Sequence, residues 1–301
     1  MTEQSPGFRS GMIAVAGRPN VGKSTLVNGL VGEKVSIVTP KPQTTRHRAL
    51  GIYTDAEAQL VFVDTPGVHR SRKDALNRAL NRTAAGALPD ADQVLFVIEA
   101  LRWTDEDQDV LGMLKRVSVP VTLLVNKVDK VVPRERLLPF LQDITARHDF
   151  VEVIPLSALR ARDLDRLREH LKSQVPQGPA FFPEHQRTDR GPAFHAAETV
   201  REKLMYRLRQ ELPYGVAVEI DSFADEPEGV DISAVIWVAR KGQKAIVIGR
   251  GGTELKAVGT AARRDLESRF GKKVMLRLWV KVRENWADSE ADLKRFGYFE
   301  A

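Results

Sequence analysis

Gly17, Arg18, Pro19, Asn20, Val21, Gly22, Lys23, Ser24 and Thr25 form a run that begins on a glycine and closes on glycine, lysine and two hydroxyl residues. That spacing suits a polyphosphate. Glycines let backbone N–H groups turn inward around phosphate oxygens, and a helix starting directly behind them adds the positive end of its dipole. Lys23 can bridge the terminal phosphates, and Ser24 can offer its hydroxyl to magnesium. Asp64, Thr65, Pro66 and Gly67 come one core strand later. A carboxylate there can hold the magnesium shell, and the Gly67 N–H can meet a γ-phosphate. An Asp-x-x-Gly by itself is uninformative; its place after the phosphate loop gives it meaning. Thr44 and Thr45 lie in the loop between, where a threonine can coordinate magnesium and sense the γ-phosphate as an order–disorder switch. Spacing does not choose between them.

Asn126, Lys127 and Asp129 select the base. A carboxylate at Asp129 accepts from the N1–H and 2-amino groups of guanine. Adenine offers neither donor and would leave that carboxylate unpaired, so discrimination should be strong. Asn126 can tie neighbouring loops together and reach the base edge. The Lys127 stem can cover the ring, and Ser157, Ala158 and Leu159 can offer a backbone N–H to the guanine oxygen. A capped turn is the plain alternative for Asn-Lys-x-Asp alone, but its order after a phosphate loop favours a guanine site. The expected ligands are GTP and GDP with Mg2+.

These residues need a scaffold that brings loop ends together. Apolar, β-rich runs at residues 12–16, 49–54, 59–64, 93–99, 121–126 and 151–155 alternate with stretches of helical length, such as 105–117 and 134–148. This order predicts an α/β domain with a mostly parallel sheet, ligands at the carboxyl ends of its strands, over residues 1–175. A Pro/Gly-rich stretch, 176–192, reads as a linker. Beyond it the pattern predicts a helix over 194–211, a strand over 215–222, an acidic loop and a strand over 232–240. The loop Gly249, Arg250, Gly251, Gly252 is expected between a strand and a helix, with helical residues to 270 and an alternating strand over 273–283. The order α-β-β-α-α-β makes a smaller α+β domain over 193–287, with a tail at 288–301.

Composition bounds the partners. The chain has 301 residues, 43% hydrophobic and 29% charged, with no cysteine and hence no disulfide or thiolate metal site. No apolar run approaches the ~20 residues that span a bilayer. The N-terminus lacks an apolar signal core and reads as a frayed cytoplasmic tail. The net charge is +6. Residues 240–283 hold 13 basic and 3 acidic residues, whereas 219–231 hold six acids and no base. The basic segment suits a polyanion, and the acidic one reads as a solvated loop. Within the basic segment, Gly249 to Gly252 is the kind of glycine loop that clamps a nucleic-acid backbone, with Arg250, Lys244 and Lys256 adding charge. A plain turn is the alternative for G-x-x-G alone. Trp237 and Trp279 alternate with apolar or charged neighbours, which predicts packing on the sheet rather than base stacking.

The phosphate loop, residues 43–47 (Gln-Thr-Thr-Arg-His), Asp64 to His69, Asn126 to Asp129 and Ser157 to Leu159 resemble the Era GTPases of bacteria. So do residues 197–203, 211–214, 247–252, 278–282 and Trp286, which resemble that family's KH domain. The resemblance spans nearly the whole chain. It implies a GTPase with a type II KH domain that binds the 3′ end of 16S ribosomal RNA and assists 30S subunit assembly. It further implies Thr45 as a magnesium ligand and a potassium ion at Asn20. Glu99 stands where Asp is common, and Ala239 where an acid is usual. Val68 follows Gly67 where a Ras-like enzyme carries its water-orienting glutamine, so slow intrinsic hydrolysis is expected. The sequence identifies no protein partner. It places the chain in the cytoplasm, with peripheral contact to the inner face of the cell membrane as a secondary expectation from the basic segment. The KH-like half counts against a membrane-traffic GTPase. Intact Lys23, Ser24, Asp64 and Asp129 count against an RNA module with a vestigial nucleotide fold.

Overall fold

The structure, a computed structural model, describes residues 7–67, 75–209 and 212–298. It forms two compact units. The first comprises residues 7–38, 45–67 and 80–189; the second comprises Thr39–Thr44, residues 75–79 and the described residues from Arg190 onward.

The alternation read from the sequence appears as β1 (Arg9–Ala16), α1 (Lys23–Val31), β2 (Ala49–Thr54), β3 (Ala58–Asp64), α2 (Ala75–Gly86), β4 (Gln93–Glu99), α3 (Asp105–Leu114), β5 (Val121–Asn126), α4 (Leu137–Thr145), β6 (Glu152–Pro155) and α5 (Ala161–Gln174). The sheet order is β2-β3-β1-β4-β5-β6, and β2 is the one antiparallel strand. Side chains alternate across it. One face buries Ile13, Val15, Phe62 and Leu95 against Leu26 and Leu30 of α1 and Leu167 of α5. The other buries Ala14, Phe96, Ile98 and Val125 against Val110 and Leu114 of α3. Burial on both faces explains why these strands read as continuous apolar runs.

Residues 176–189, expected within a linker, pack on this unit. Ser10 N–H donates to Pro176 O at 3.0 Å, Gln59 Oε1 accepts the N–H groups of Phe181 and Phe182, and Asp189 Oδ1 accepts Leu50 N–H at 2.8 Å.

In the second unit, α6 (Pro192–Arg207) leads into β7 (Val216–Glu226), β8 (Gly229–Val238), α7 (Lys241–Ile248), α8 (Thr253–Phe270), β9 (Val274–Val282) and α9 (Glu290–Arg295). β7 pairs antiparallel with β8, and β8 parallel with β9. The α-β-β-α-α-β order is as expected, with Leu204, Leu208 and Leu212 in the core against Val216, Ile236 and Val280. Three expectations need correction. The first helix ends at Arg207, and residue 211 lies outside the described residues. The acidic stretch is no loop: β7 and β8 continue as one hairpin to Glu226 and Gly229. Phe223 and Val230 alternate with the acids, and arginine or lysine partners such as Arg277 on Asp231 offset the charge. The glycine loop joins two helices, α7 and α8, rather than a strand and a helix. Gln243 Oε1 accepts the Ala239 and Arg240 N–H groups at 2.9 and 3.0 Å and starts α7 in spite of its β-branched residues. Among the described residues no helix is long and apolar enough to cross a membrane.

Candidate nucleotide site and nucleic-acid groove

Strand order reverses at β1, whose neighbours are β3 and β4. This is the switch point where an open α/β sheet leaves a crevice beyond its carboxyl ends, and the phosphate loop fills it. Gly22 has φ of 104°, and a Cβ there would lie 2.4 Å from Asn126 Nδ2. No other residue type fits without moving the base loop. Lys23 is buried and donates to the carbonyls of Gly17 and Arg18 at 2.9 and 3.0 Å. Burial pushes its ammonium down to about 8. No acid occupies the first turn of α1, so the positive helix end is uncompensated from within.

Arg18 does not face outward. Its Nε donates to Asp107 Oδ2 at 3.0 Å and one guanidinium NH2 to Glu99 Oε2 at 3.1 Å. Asp107, fully buried, also accepts from Thr104 and so starts α3. Sequence reasoning missed this brace, although Thr104 followed by Asp107 is a capping-box signature. Glu99 further pairs with Lys127 at 3.3 Å. Burial alone would raise its carboxyl, but Lys127 and Arg18 outweigh that and hold it below the usual range.

The two threonines are placed differently. Thr45 Oγ1 lies 2.7 Å from Ser24 Oγ. Thr44 Oγ1 turns instead to Thr39 Oγ1 and Lys41 O, at 2.6 and 2.7 Å. Both carboxylate oxygens of Asp64 are buried without a well-formed hydrogen bond. Burial raises this carboxyl, and the Ser36, Lys23 and Ser24 groups beside it oppose the shift. A buried carboxylate in that condition is costly unless a cation joins it. With two hydroxyls in contact nearby, the oxygen-only donor set fits magnesium. Thr65 Oγ1 is spent on Val15 O at 2.8 Å. Pro66 is buried, and a Cβ on Gly67 would meet Pro19 at 2.8 Å, so this segment abuts the phosphate loop. Thr25 is half-buried in α1. Val68 and His69 lie outside the described residues.

At the base end, Asn126 is 2% exposed. Its Nδ2 donates to Val21 O at 2.8 Å, and its Oδ1 accepts Lys127 N–H at 2.7 Å and Ala158 N–H at 2.9 Å. It therefore ties three loops and has little left for the base edge. Lys127 Nζ donates to Asn20 O at 2.7 Å, drawing its stem across the loop. Asn20 itself is exposed at φ of 63°. Asp129 is exposed on a short 3₁₀ turn, Val128–Lys130, with no hydrogen bond or ion pair among the described residues. Ser157 N–H goes to Asp163 Oδ2 and Ala158 N–H to Asn126. Leu159 N–H, with only a 3.4 Å contact to Ser157 Oγ, is the least committed donor of that loop.

In the second unit, Gly249, Gly251 and Gly252 have φ of 75°, 60° and 78°. A Cβ on Gly249 would lie 2.9 Å from Glu254 N, whereas Gly251 and Gly252 face open space. The loop opens α8 and borders a groove of about 390 Å³ lined by Leu255, Lys256, Thr260 and Arg263 of α8 and by Leu276 and Leu278 of β9. Thr260 and Arg263 were missed from sequence; their spacing of four and seven from Lys256 on a helix could have found them. Arg250, Lys244 and Lys256 are exposed. Trp237 is 9% exposed and packs as expected. Trp279 does not: it is 45% exposed, with no helix packed over its part of the sheet face among the described residues.

Comparison with known proteins agrees with both halves. Residues 12–127 match the family model described as 50S ribosome-binding GTPase, and residues 211–287 match the KH domain model. The chain is 52% identical to GTPase Era of Stenotrophomonas maltophilia (strain R551-3) and 53% identical to that of Xanthomonas axonopodis pv. citri (strain 306). Each alignment covers 99% of this chain and all of the relative. It is similar to a crystal structure of an Aquifex aeolicus Era variant bound to GDP·AlF4− (TM-score 0.94, 39% identity, 97% of this chain and all of that one). A structure of Era in complex with MgGDPNP and nucleotides 1506–1542 of 16S ribosomal RNA matches equally well (TM-score 0.94, 39% identity, 97% and 100% covered). The GTPase half and the KH half thus both match one family along nearly the whole chain, and this chain belongs to the Era family of GTPases.

Proposed function

We propose that this chain is a GTP-driven switch that binds the 3′ end of 16S ribosomal RNA through its KH domain and assists assembly of the small, 30S, ribosomal subunit. The observation that carries this reading is the presence, on one chain, of phosphate-loop and base-loop residues tied together at the sheet's carboxyl ends and of a basic KH groove. The solved relative bound to that RNA segment supports the choice of RNA. In this reading Lys23 and the loop N–H groups orient the phosphates, Asp129 selects guanine, and Lys127 and Asn126 hold base loop to phosphate loop. Ser24, Thr45 and Asp64 would hold the magnesium, which when bound offsets phosphate charge. A potassium ion beside Asn20 is the finer expectation. Single-turnover rates equal in potassium and sodium, or stimulation surviving in Asn20→Ala, would sink it.

The RNA part is tested with the full chain and two labelled single strands of equal length, one carrying the 3′-terminal sequence and one scrambled. Preference for the first at the same salt is expected. Equal affinity would reduce the domain to a basic surface. We place the chain in the cytoplasm. Residues 240–283 also give an electrostatic basis for weak attraction to an anionic membrane face, which sedimentation with lipid vesicles at varied salt would reveal.

A further inference from the structure

β9 has two different faces. Leu276 and Leu278 point to the groove and the core beneath it. The alternate residues Met275, Arg277, Trp279 and Lys281 point the other way, where Met275 is 58% and Trp279 45% exposed. An exposed indole of this kind is unusual for a sheet residue. Its neighbour on β8 shows what covering would look like. Trp237, opposite Lys281, donates Nε1–H to Glu219 at 2.8 Å, lies 6.2 Å from the Phe296 ring and carries Arg295 at 5.3 Å. The C-terminal segment thus seals one part of the face and leaves Trp279 open.

The arginines around the open part are paired with acids, which leaves Lys281 as its one cation without a carboxylate among the described residues. Asp231 is bound by Arg277 through two hydrogen bonds, at 2.6 and 2.9 Å, and Glu219 by Arg295 at 2.9 and 3.0 Å. Lys281 has no carboxylate partner among the described residues. The indole has Arg277, held by Asp231, on one side and Lys281, whose ammonium lies 5.8 Å from the Trp237 ring, on the other, each two residues, or about 6.6 Å, along the strand. An exposed aromatic surface with a lysine two residues along the strand is the chemistry that takes an unpaired base and its phosphate. β9 is also the wall of the groove, so a strand leaving the groove across β9 meets Trp279 next. We propose that Trp279 is a base-stacking platform that extends the KH groove by an unpaired nucleotide, a reading that rests on the groove being the RNA site.

The test uses the full chain and single-stranded RNAs of two lengths, about four nucleotides to fill the groove and about eight to run past it. Trp279→Ala is expected to weaken the longer strand by about tenfold, within the range for loss of one base–aromatic stack, and to leave the shorter unchanged. Trp279→Phe, which keeps a ring, should restore most of the loss. An abasic site at the stacked position should mimic Trp279→Ala and add nothing to it. Unchanged affinity for the longer strand, or equal loss for both strands, would overturn the proposal. So would self-association of the wild-type chain in sedimentation that Trp279→Ala abolishes without changing RNA affinity, since the face would then belong to a second copy. Gly251→Asp reports separately on the groove: if it leaves both strands bound as before, the groove reading fails, whatever the Trp279 comparison gives.

Discussion

Replacing Asn126 by alanine removes three hydrogen bonds from one buried position. The donor to Val21 O at 2.8 Å holds the phosphate loop, and the acceptor for Lys127 and Ala158 N–H, at 2.7 and 2.9 Å, holds the two loops that frame the base. With 2% of the residue exposed, water cannot readily take over these contacts. At about 1 kcal/mol net for each bond the loss is about 3 kcal/mol, or roughly a hundredfold in an equilibrium constant. All three bonds fix backbone that meets the nucleotide, so most of this should appear in binding. Titration of a fluorescent GDP at fixed magnesium is expected to show about a hundredfold weaker binding. Denaturation of the nucleotide-free chain should show a smaller loss. Asn126→Asp keeps the acceptor but sets a buried carboxylate oxygen against Val21 O, so its defect should be at least as large as that of Asn126→Ala. A folded Asn126→Ala chain that binds GDP within about threefold of the wild type would refute the reasoning.

Asp129→Asn should weaken GTP and favour xanthosine triphosphate, because the amide presents a donor to a xanthine oxygen; full retention of GTP affinity in a competition assay would remove Asp129 from base recognition. Burial, with the Arg269 cation nearby, pushes buried His195 down to about 4, below its ordinary 6.5. The folded state rejects a proton that the unfolded chain accepts, so stability is complete above about pH 6.5 and falls toward pH 4, by up to about 3 kcal/mol. Urea denaturation at several pH values should show that slope, and His195→Gln should flatten it. Gly251 has open space around its Cβ position but φ of 60°, a conformation Asn and Asp tolerate better than most. Gly251→Asp should therefore weaken RNA through its charge, while Gly251→Asn keeps most of the affinity; equal loss in filter binding would point to backbone strain instead. Lys244→Ala should lower affinity modestly and reduce the salt slope by about one, as loss of one phosphate contact would.

The nucleotide unit was legible because its strands are buried on both faces and its chemistry sits at strand ends. Apolar runs and loop residues therefore announced themselves independently. Asp64 and Asn126 each close a strand whose limits follow from composition. The second unit was harder to read. Ile246, Val247 and Ile248 have β-branched side chains, yet Val247 packs into the helical core and Gln243 caps the turn, so tertiary contacts made a helix there. Acids at 219–231 look like a loop until their basic partners, Lys272, Arg277 and Arg295, are known, and those lie 46 or more positions away. The same distance hid Trp279: its alternation with Leu278 and Val280 shows that it lies on a strand, but not that its own face stays uncovered. Arg18 reads as part of the phosphate loop, but the partners of its side chain, Asp107 and Glu99, stand on elements far along the chain.

Cross-linking of the chain to RNA in cells, followed by sequencing of the bound fragments, tests the central claim most directly. Reads are expected to accumulate at the single-stranded 3′ terminus of small-subunit ribosomal RNA, and Gly251→Asp should remove them while the variant still binds guanine nucleotide. Reads concentrated on large-subunit ribosomal RNA or on transfer RNA would contradict it.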